Sequence, residues 1–167
     1  NYLPQKPIDT RPVFVGSISS HHQQRQRILK QLQDRGIAIR ITTATQRDAG
    51  LMFNYHAISL NISLNSDFNF RIMETMASGG CLLTDRLGID SGLNQLFTEG
   101  IHYLGYSSSD EAAEQIRAVA NDPQMRQDIA NAGYHHFWKS CSPIKQSDAL
   151  LSALQGQSFP KFFQAPL

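Results

Sequence analysis

The stretch Asn65–Asp85, NSDFNFRIMETMASGGCLLTD, decides the fold of this chain. It opens in a polar loop and then turns helical, with Ile72, Met73, Met76 and Ala77 spaced to form one buried stripe. Gly79 and Gly80 end that helix, because glycine takes the left-handed conformation that closes a last turn. Cys81, Leu82, Leu83 and Thr84 then read as a short buried strand. The polar residues sit on the loop and the first helical turns. There the unpaired backbone N–H groups and the helix dipole make a seat for a diphosphate. Arg71 can add a charge-assisted bond to such a group, and Glu74, one turn on, can accept hydrogen bonds from two sugar hydroxyls. Each has a plainer alternative: Glu74 as a solvated residue or an ion-pair partner of Arg71, and Asn69 as a helix cap.

Outward from this segment, apolar runs and helical patterns alternate. Pro12 to Ile18 reads as a first strand ending at Gly16-Ser17. A helix follows from about His22 to Arg35, with Ile28, Leu29 and Leu32 on one face and Gly36 as its stop. Ile37 to Ile41 alternates like a strand that Thr42 and Thr43 extend. Gln46 to His56 is ambiguous, although Leu51, Met52 and Tyr55 make a possible helical stripe. Ile58 to Leu64 is the strand before the decisive segment. Beyond it come a short helix within Gly88–Phe97, a strand over His102–Tyr106, a helix from the Ser108/Glu111 capping box through Val119, and another from Asp122-Pro123 to about Lys139. Such alternation predicts an α/β fold, a Rossmann-like three-layer sandwich on a parallel sheet of five or six strands. Ligands of such sheets bind beyond the carboxyl ends of the strands. That rule gathers Ser17, Asn65, Asn69, Arg71 and Glu74 at one edge.

The 167 residues make one ordinary domain, spanning residues 13–154, and the chain is large enough to bury about two thirds of its unfolded surface. A proline-bearing opening, residues 1–12, reads as a linker, and residues 155–167 as an irregular tail. With 41% hydrophobic and 17% charged residues, the sequence describes a globular chain, and no apolar run approaches a transmembrane span. A net charge of +1 gives a phosphate-backbone partner little support, so nucleic acid is not expected. Cys81 and Cys141 are far apart and predicted to be free thiols, which favours a cytoplasmic protein.

The pattern N-x-R-x-x-E-x-x-A-x-G-G, from Asn69 to Gly80, followed by an apolar strand and Thr84-Asp85, resembles the nucleotide-sugar-binding half of GT-B glycosyltransferases. It is most similar to the family related to the spore-maturation protein CgeB. Phe14-Val15-Gly16-Ser17 with the basic helix Arg25–Leu32, Leu60–Ser63, and Asn131–Tyr134 agree with it in order. The resemblance implies a retaining, hexosyltransferase-like enzyme whose donor is a nucleoside-diphosphate sugar, with no separate cofactor and no metal. It implies that Glu74, the second acidic position of an E-x7-E motif, binds the donor ribose, whereas Ser66 stands where the first Glu would be. It further implies that Asn69, Phe70 and Arg71 face the donor phosphates and that Gly16 and Ser17 lie near the same diphosphate. An amino-terminal partner domain, absent from this chain, would carry the acceptor site, so the catalytic residues and the acceptor stay unassigned.

Arg25 and Arg27 can reach a phosphate from the first helix, although a helix this polar predicts a solvated face for them. A lone Gly16 is not a G-x-G-x-x-G fingerprint, which counts against an NAD enzyme. Neither H-x3-H nor C-x2-C spacing exists for zinc, D-x-D is missing, and no G-x-S-x-G elbow supports a hydrolase. Tyr134, Phe137 and Trp138 read as packing residues rather than a sugar platform. A non-catalytic interaction module that kept the fold is the alternative, with Ser66 its best sequence support.

Overall fold

In the computed structural model, which describes residues 9–155, short buried strands alternate with helices along the chain. The order is β1 (Val13–Val15), α1 (Gln23–Asp34), β2 (Arg40–Thr42), α2 (Gln46–Tyr55), β3 (Ser59–Asn61), α3 (Phe70–Ala77), β4 (Leu82–Asp85), α4 (Leu93–Leu96), β5 (Leu104–Tyr106), α5 (Ser109–Asn121), α6 (Pro123–His136) and α7 (Pro143–Leu154). A 3-10 turn, Ile89–Ser91, precedes α4, and a π-helical turn, Phe137–Cys141, separates α6 from α7. Residues 1–8 of the expected linker and residues 156–167 of the expected tail lie outside the described part.

All pairings are parallel, in the order β2-β1-β3-β4-β5, with Phe14 opposite Ile41, Leu60 opposite Leu83 and Thr84 opposite Gly105. This is the α/β, doubly covered sheet that the alternation predicts. Successive strand residues point to opposite faces. Phe14, Leu60, Leu83, Leu104 and Tyr106 pack with Ile28, Leu29 and Leu32 of α1 and with Ala112, Ala113 and Ile116 of α5. On the other face Val13 and Val15 meet Ala49 and Phe53 of α2, while Leu82 meets Ile72 and Met76 of α3.

Local rules account for the element ends. Thr45, Asn69, Ser108, Asp122 and Ser142 each cap a helix by accepting a backbone N–H, with Pro123 and Pro143 in the first turn. Gly79, at φ +74°, closes α3 as its position in the sequence predicts. The strands are shorter than the apolar runs that announce them. Ile37 leaves the expected second strand and packs instead against the α1 core. α6 ends at His136 rather than continuing to Lys139, and α7, for which no element is expected, begins at the same Ser/Asp-Pro signal as α6. Among the described residues no helix is long and apolar enough to cross a membrane.

The ambiguous segment 46–56 is a helix, and of the stripe Leu51, Met52 and Tyr55 only Met52 packs against the core, half-buried, while Leu51 and Tyr55 are exposed. Ala49 and Phe53, four residues apart, face the sheet, and Leu51 is 65% exposed. Ala49 is too small to stand out in a hydrophobicity pattern, so the larger Leu51 and Tyr55 mislead. Phe53→Ala is expected to cost about 3–5 kcal/mol and Leu51→Ala within about 0.5 kcal/mol, read from urea unfolding midpoints; the reverse ranking would mean that α2 is rotated.

Candidate functional site

The strand order switches at β1. From β1 the chain crosses through α1 to β2 on one side, and it later returns to β3 on the other. In open parallel sheets the crevice between two such strands, at their carboxyl ends, is where ligands bind. Gly16 and Ser17 follow β1, and Ile62 to Asn69 follow β3, so the structure sets most of the sequence-derived candidates around this crevice.

Arg71 dominates it. The residue stands in the first turn of α3, which packs on one face of the sheet, yet its guanidinium carbon lies 5.4 Å from the centroid of the Phe14 ring, which belongs to the other face. The side chain therefore passes over the carboxyl edge of the sheet. Gly16 makes room: a Cβ at that position would stand 2.7 Å from Arg71 Nη2. Arg71 Nη1 is buried and has no hydrogen-bond partner among the described residues. Burial, followed by repulsion from Arg25, pulls the guanidinium below its ordinary pKa, while Glu74 acts in the opposite direction. A guanidinium stays charged nonetheless. It forms no ion pair with Glu74 among the described residues, so that plainer reading of the pair does not hold.

Arg25 is not on a solvated face. At 7% exposure it is among the buried residues of α1. Its Nε donates to the Ile62 carbonyl at 3.0 Å and its Nη1 to the Ser17 carbonyl at 3.4 Å. Its guanidinium carbon lies 5.7 Å from the centre of the same Phe14 ring that Arg71 approaches. The pattern that missed this counted Arg25 with the glutamines around it, but it falls three residues before Ile28 and four before Leu29, on the inward side. Arg27 stays exposed, as expected.

Asn69 performs the plain role in full. Its Oδ1 accepts the Arg71 N–H at 3.1 Å, and its Nδ2 donates to Asn61 Oδ1 at 3.2 Å. Asn61 Nδ2 in turn donates to Thr84 Oγ1 at 3.0 Å. Asp85, buried at the end of β4, accepts from the Ser63 N–H at 3.0 Å and from the Ser63 hydroxyl. Tyr106 closes the group by donating to the Asn61 carbonyl at 2.9 Å. Burial first, then the Asp85 charge, raises the Tyr106 hydroxyl pKa well above the usual tyrosine range, so it remains a donor. Asn61, Ser63, Asp85, Tyr106 and Phe14 are the residues that sequence reasoning missed. For Asn61, Ser63, Asp85 and Tyr106 the signal is a polar residue at or just beyond the carboxyl end of an otherwise apolar strand; Phe14, in the middle of β1, carries none.

The remaining candidates are spread more widely. Ser17 and Asn65 are exposed at the crevice mouth, and Ser66 is exposed with φ at +56°. Phe70, 86% exposed, lines an apolar hollow of about 250 Å³ together with Phe68, Met73 and Phe137. A polar cleft of about 460 Å³ opens beside the crevice between Arg27, Ser66, Asp85, Arg86 and Ser107. Among the described residues, no three His, Cys, Asp or Glu side chains stand close enough to hold a metal. The arrangement suits a polyanion: two guanidiniums about one ring, one nitrogen unpartnered, and a helix start at the same place.

A family model described as glycosyl transferase-like matches residues 20–152. Among curated proteins none matches the chain. Solved structures share the fold at low identity. The C-terminal domain of a glycosyl transferase group 1 family protein (LpcC) from Francisella tularensis is 12% identical, with a TM-score of 0.59 over 82% of this chain and 89% of that one. Anabaena Alr3699/HepE in complex with UDP-glucose is 14% identical, with a TM-score of 0.64 over 87% of this chain. Sucrose-phosphate synthase from Thermosynechococcus elongatus is 14% identical, with a TM-score of 0.61 over 87%. The chain spans only 40% of the Anabaena protein and 39% of the synthase.

Removing the cap by Asn69→Ala is expected to lower stability by about 1 kcal/mol in urea unfolding, with Asn69→Asp restoring most of it. No loss on Asn69→Ala would show that the cap does not hold the start of α3.

Proposed function

Because this chain belongs to the glycosyl transferase-like family, we propose that it is the donor-binding domain of a retaining GT-B glycosyltransferase, seating a nucleoside-diphosphate sugar in the crevice between β1 and β3. The observation that carries this reading is the buried, unpartnered Nη1 of Arg71 beside Gly16, at the carboxyl edge of the sheet and the start of α3. Leaving a charged donor unpaired costs free energy unless a ligand completes it. A diphosphate supplies the acceptors.

In this reading Arg71 and the backbone N–H groups near Gly16, Ser17 and Asn69–Arg71 meet the diphosphate. As the glycosidic bond breaks, negative charge builds on the departing nucleoside diphosphate. Fixed positive groups in a partly buried crevice stabilise that charge more than they stabilise the intact donor, which lowers the barrier. Glu74, which forms no ion pair among the described residues, accepts the two ribose hydroxyls and orients the donor. Asn65 and Phe70 border the sugar side, and Arg25 adds a second positive charge to the field. No side chain of this chain is assigned as nucleophile.

The structures of Anabaena Alr3699/HepE in complex with UDP and with UDP-glucose make a uridine nucleotide the first candidate and a hexose the first transferred group. The full-length relatives are more than twice as long as the matched part, so we assign the acceptor site to a further domain and expect no rapid turnover from these residues alone. The two buried free thiols, Cys81 and Cys141, fit a cytoplasmic setting.

Calorimetric titration of UDP, GDP and ADP, with NAD as a control, tests this. One diphosphate should bind, and Arg71→Gln and Glu74→Ala should each weaken it about 10- to 100-fold, the cost of one or two charge-assisted bonds. Absence of binding at millimolar ligand would favour the non-catalytic interaction module instead.

A further inference from the structure

Arg25 is placed to do something other than bind a phosphate. Its Nε and Nη1 point at two backbone carbonyls, Ile62 just beyond β3 and Ser17 just beyond β1. Neither carbonyl lies within a strand; that of Ile62 is buried, where a carbonyl without a donor is costly, and that of Ser17 is half-buried. The two strands themselves pair only through Val13 and Ser59, near their amino ends. Nothing in the ladder, therefore, fixes how far apart their carboxyl ends stand. Arg25 does, from a helix that is itself packed on the sheet through Ile28, Leu29 and Leu32.

The Phe14 ring completes the arrangement. Arg25 and Arg71 both lie over it, at 5.7 and 5.4 Å, and the two like charges repel. Arg25 cannot retreat without losing its carbonyls. Arg71 rests against Gly16, whose N–H donates to the Thr42 carbonyl at 2.8 Å and which directly precedes the Ser17 that Arg25 holds. On its β3 side the width of the crevice thus depends on one hydrogen-bonded fork, while β2 holds Gly16 from the other side.

We propose that Arg25 is a positioning residue: it clasps the exits of β1 and β3 and so fixes the gap in which Arg71 meets the ligand, without touching the ligand's phosphates itself. This rests on the donor-site reading above for its consequence in binding, and on the two carbonyl contacts for the clasp.

The fork geometry separates clasp from charge. Lysine keeps the charge but not the rigid pair of donors, so it does not replace arginine where two acceptors are held at once. The test compares wild type, Arg25→Lys and Arg25→Gln in the full 167-residue chain. Amide hydrogen exchange without ligand reads the clasp, and UDP titration reads its effect. Both variants should speed exchange about tenfold or more at residues 16–19 and 62–65 while β4 and β5 keep wild-type protection, and both should weaken UDP about tenfold. If the neutral variant fails to fold, Arg25→Lys alone decides. Arg25→Lys with wild-type affinity and wild-type exchange would overturn the proposal and make Arg25 a simple charge at the ligand. Unchanged exchange in both variants would overturn it as well. A wild-type chain that binds no UDP, GDP or ADP would refute the donor reading, and the exchange result would still decide the clasp.

Discussion

At the carboxyl ends of β1 and β3 the chain must leave in two directions, since β1 connects outward through α1 to β2 and β3 connects onward through α3 to β4. Right-handed crossovers put α1 and α3 on opposite faces. Two neighbouring strands therefore end with their loops diverging, and the backbone beyond them must find partners outside the β1–β3 ladder, as Gly16 N–H does at Thr42 and Ser63 N–H at Asp85. Everything else at this edge answers that constraint. Arg25 comes from one face to hold the two exits, Arg71 comes from the other to fill the gap, and Asn61, Ser63, Asp85 and Tyr106 satisfy the polar groups between them.

The electrostatic result is a region that is positive by construction. Two arginines share one aromatic ring, and neither has a carboxylate in an ion pair with it among the described residues. Elsewhere the same chain pairs its exposed arginines freely: Arg86 with Glu99 and Glu111, Arg35 with Asp110 and Arg11 with Asp9. Acidic residues do stand nearby, Asp67 and Asp85 acting on Arg25 and Glu74 on Arg71, but none closes an ion pair with either arginine among the described residues. Buried charge without a partner is rare in folded proteins unless function requires it. Arg126, buried on α6 and likewise without an ion pair among the described residues, shows that burial alone does not mark such a place; what sets Arg25 and Arg71 apart is that they meet over one ring at the strand ends.

Much of this architecture can be read from the residues. The apolar runs and the Ser, Thr and Asp caps give the order of elements, and the N-x-R-x-x-E pattern leads to α3 and its Arg71. Backbone logic of this kind is local, and so it is legible. Tertiary logic is not. Whether Arg25 faces water depends on where the carbonyls of Ser17 and Ile62 end up, and those are set 8 and 37 residues away along the chain. Asn69 offers the same lesson in the other direction: its capping role follows from position alone, whereas its bond to Asn61 requires β3 beside α3. Leu51 and Phe53 differ in burial because the face of α2 that meets Val13 and Val15 carries Ala49 and Phe53, and Ala49 has almost no pattern of its own.

The chain of side-chain amides from Asn69 through Asn61 to Thr84 ties the first turn of α3 to two central strands. A helix end of this kind ordinarily frays. Here its orientation is inherited from the sheet, and the rotational freedom of that turn is lost when the domain folds rather than when a ligand arrives. On the donor-site proposal, an anion entering the crevice would then meet donors that are already aimed, and its affinity would reflect contact more than the ordering of the protein around it.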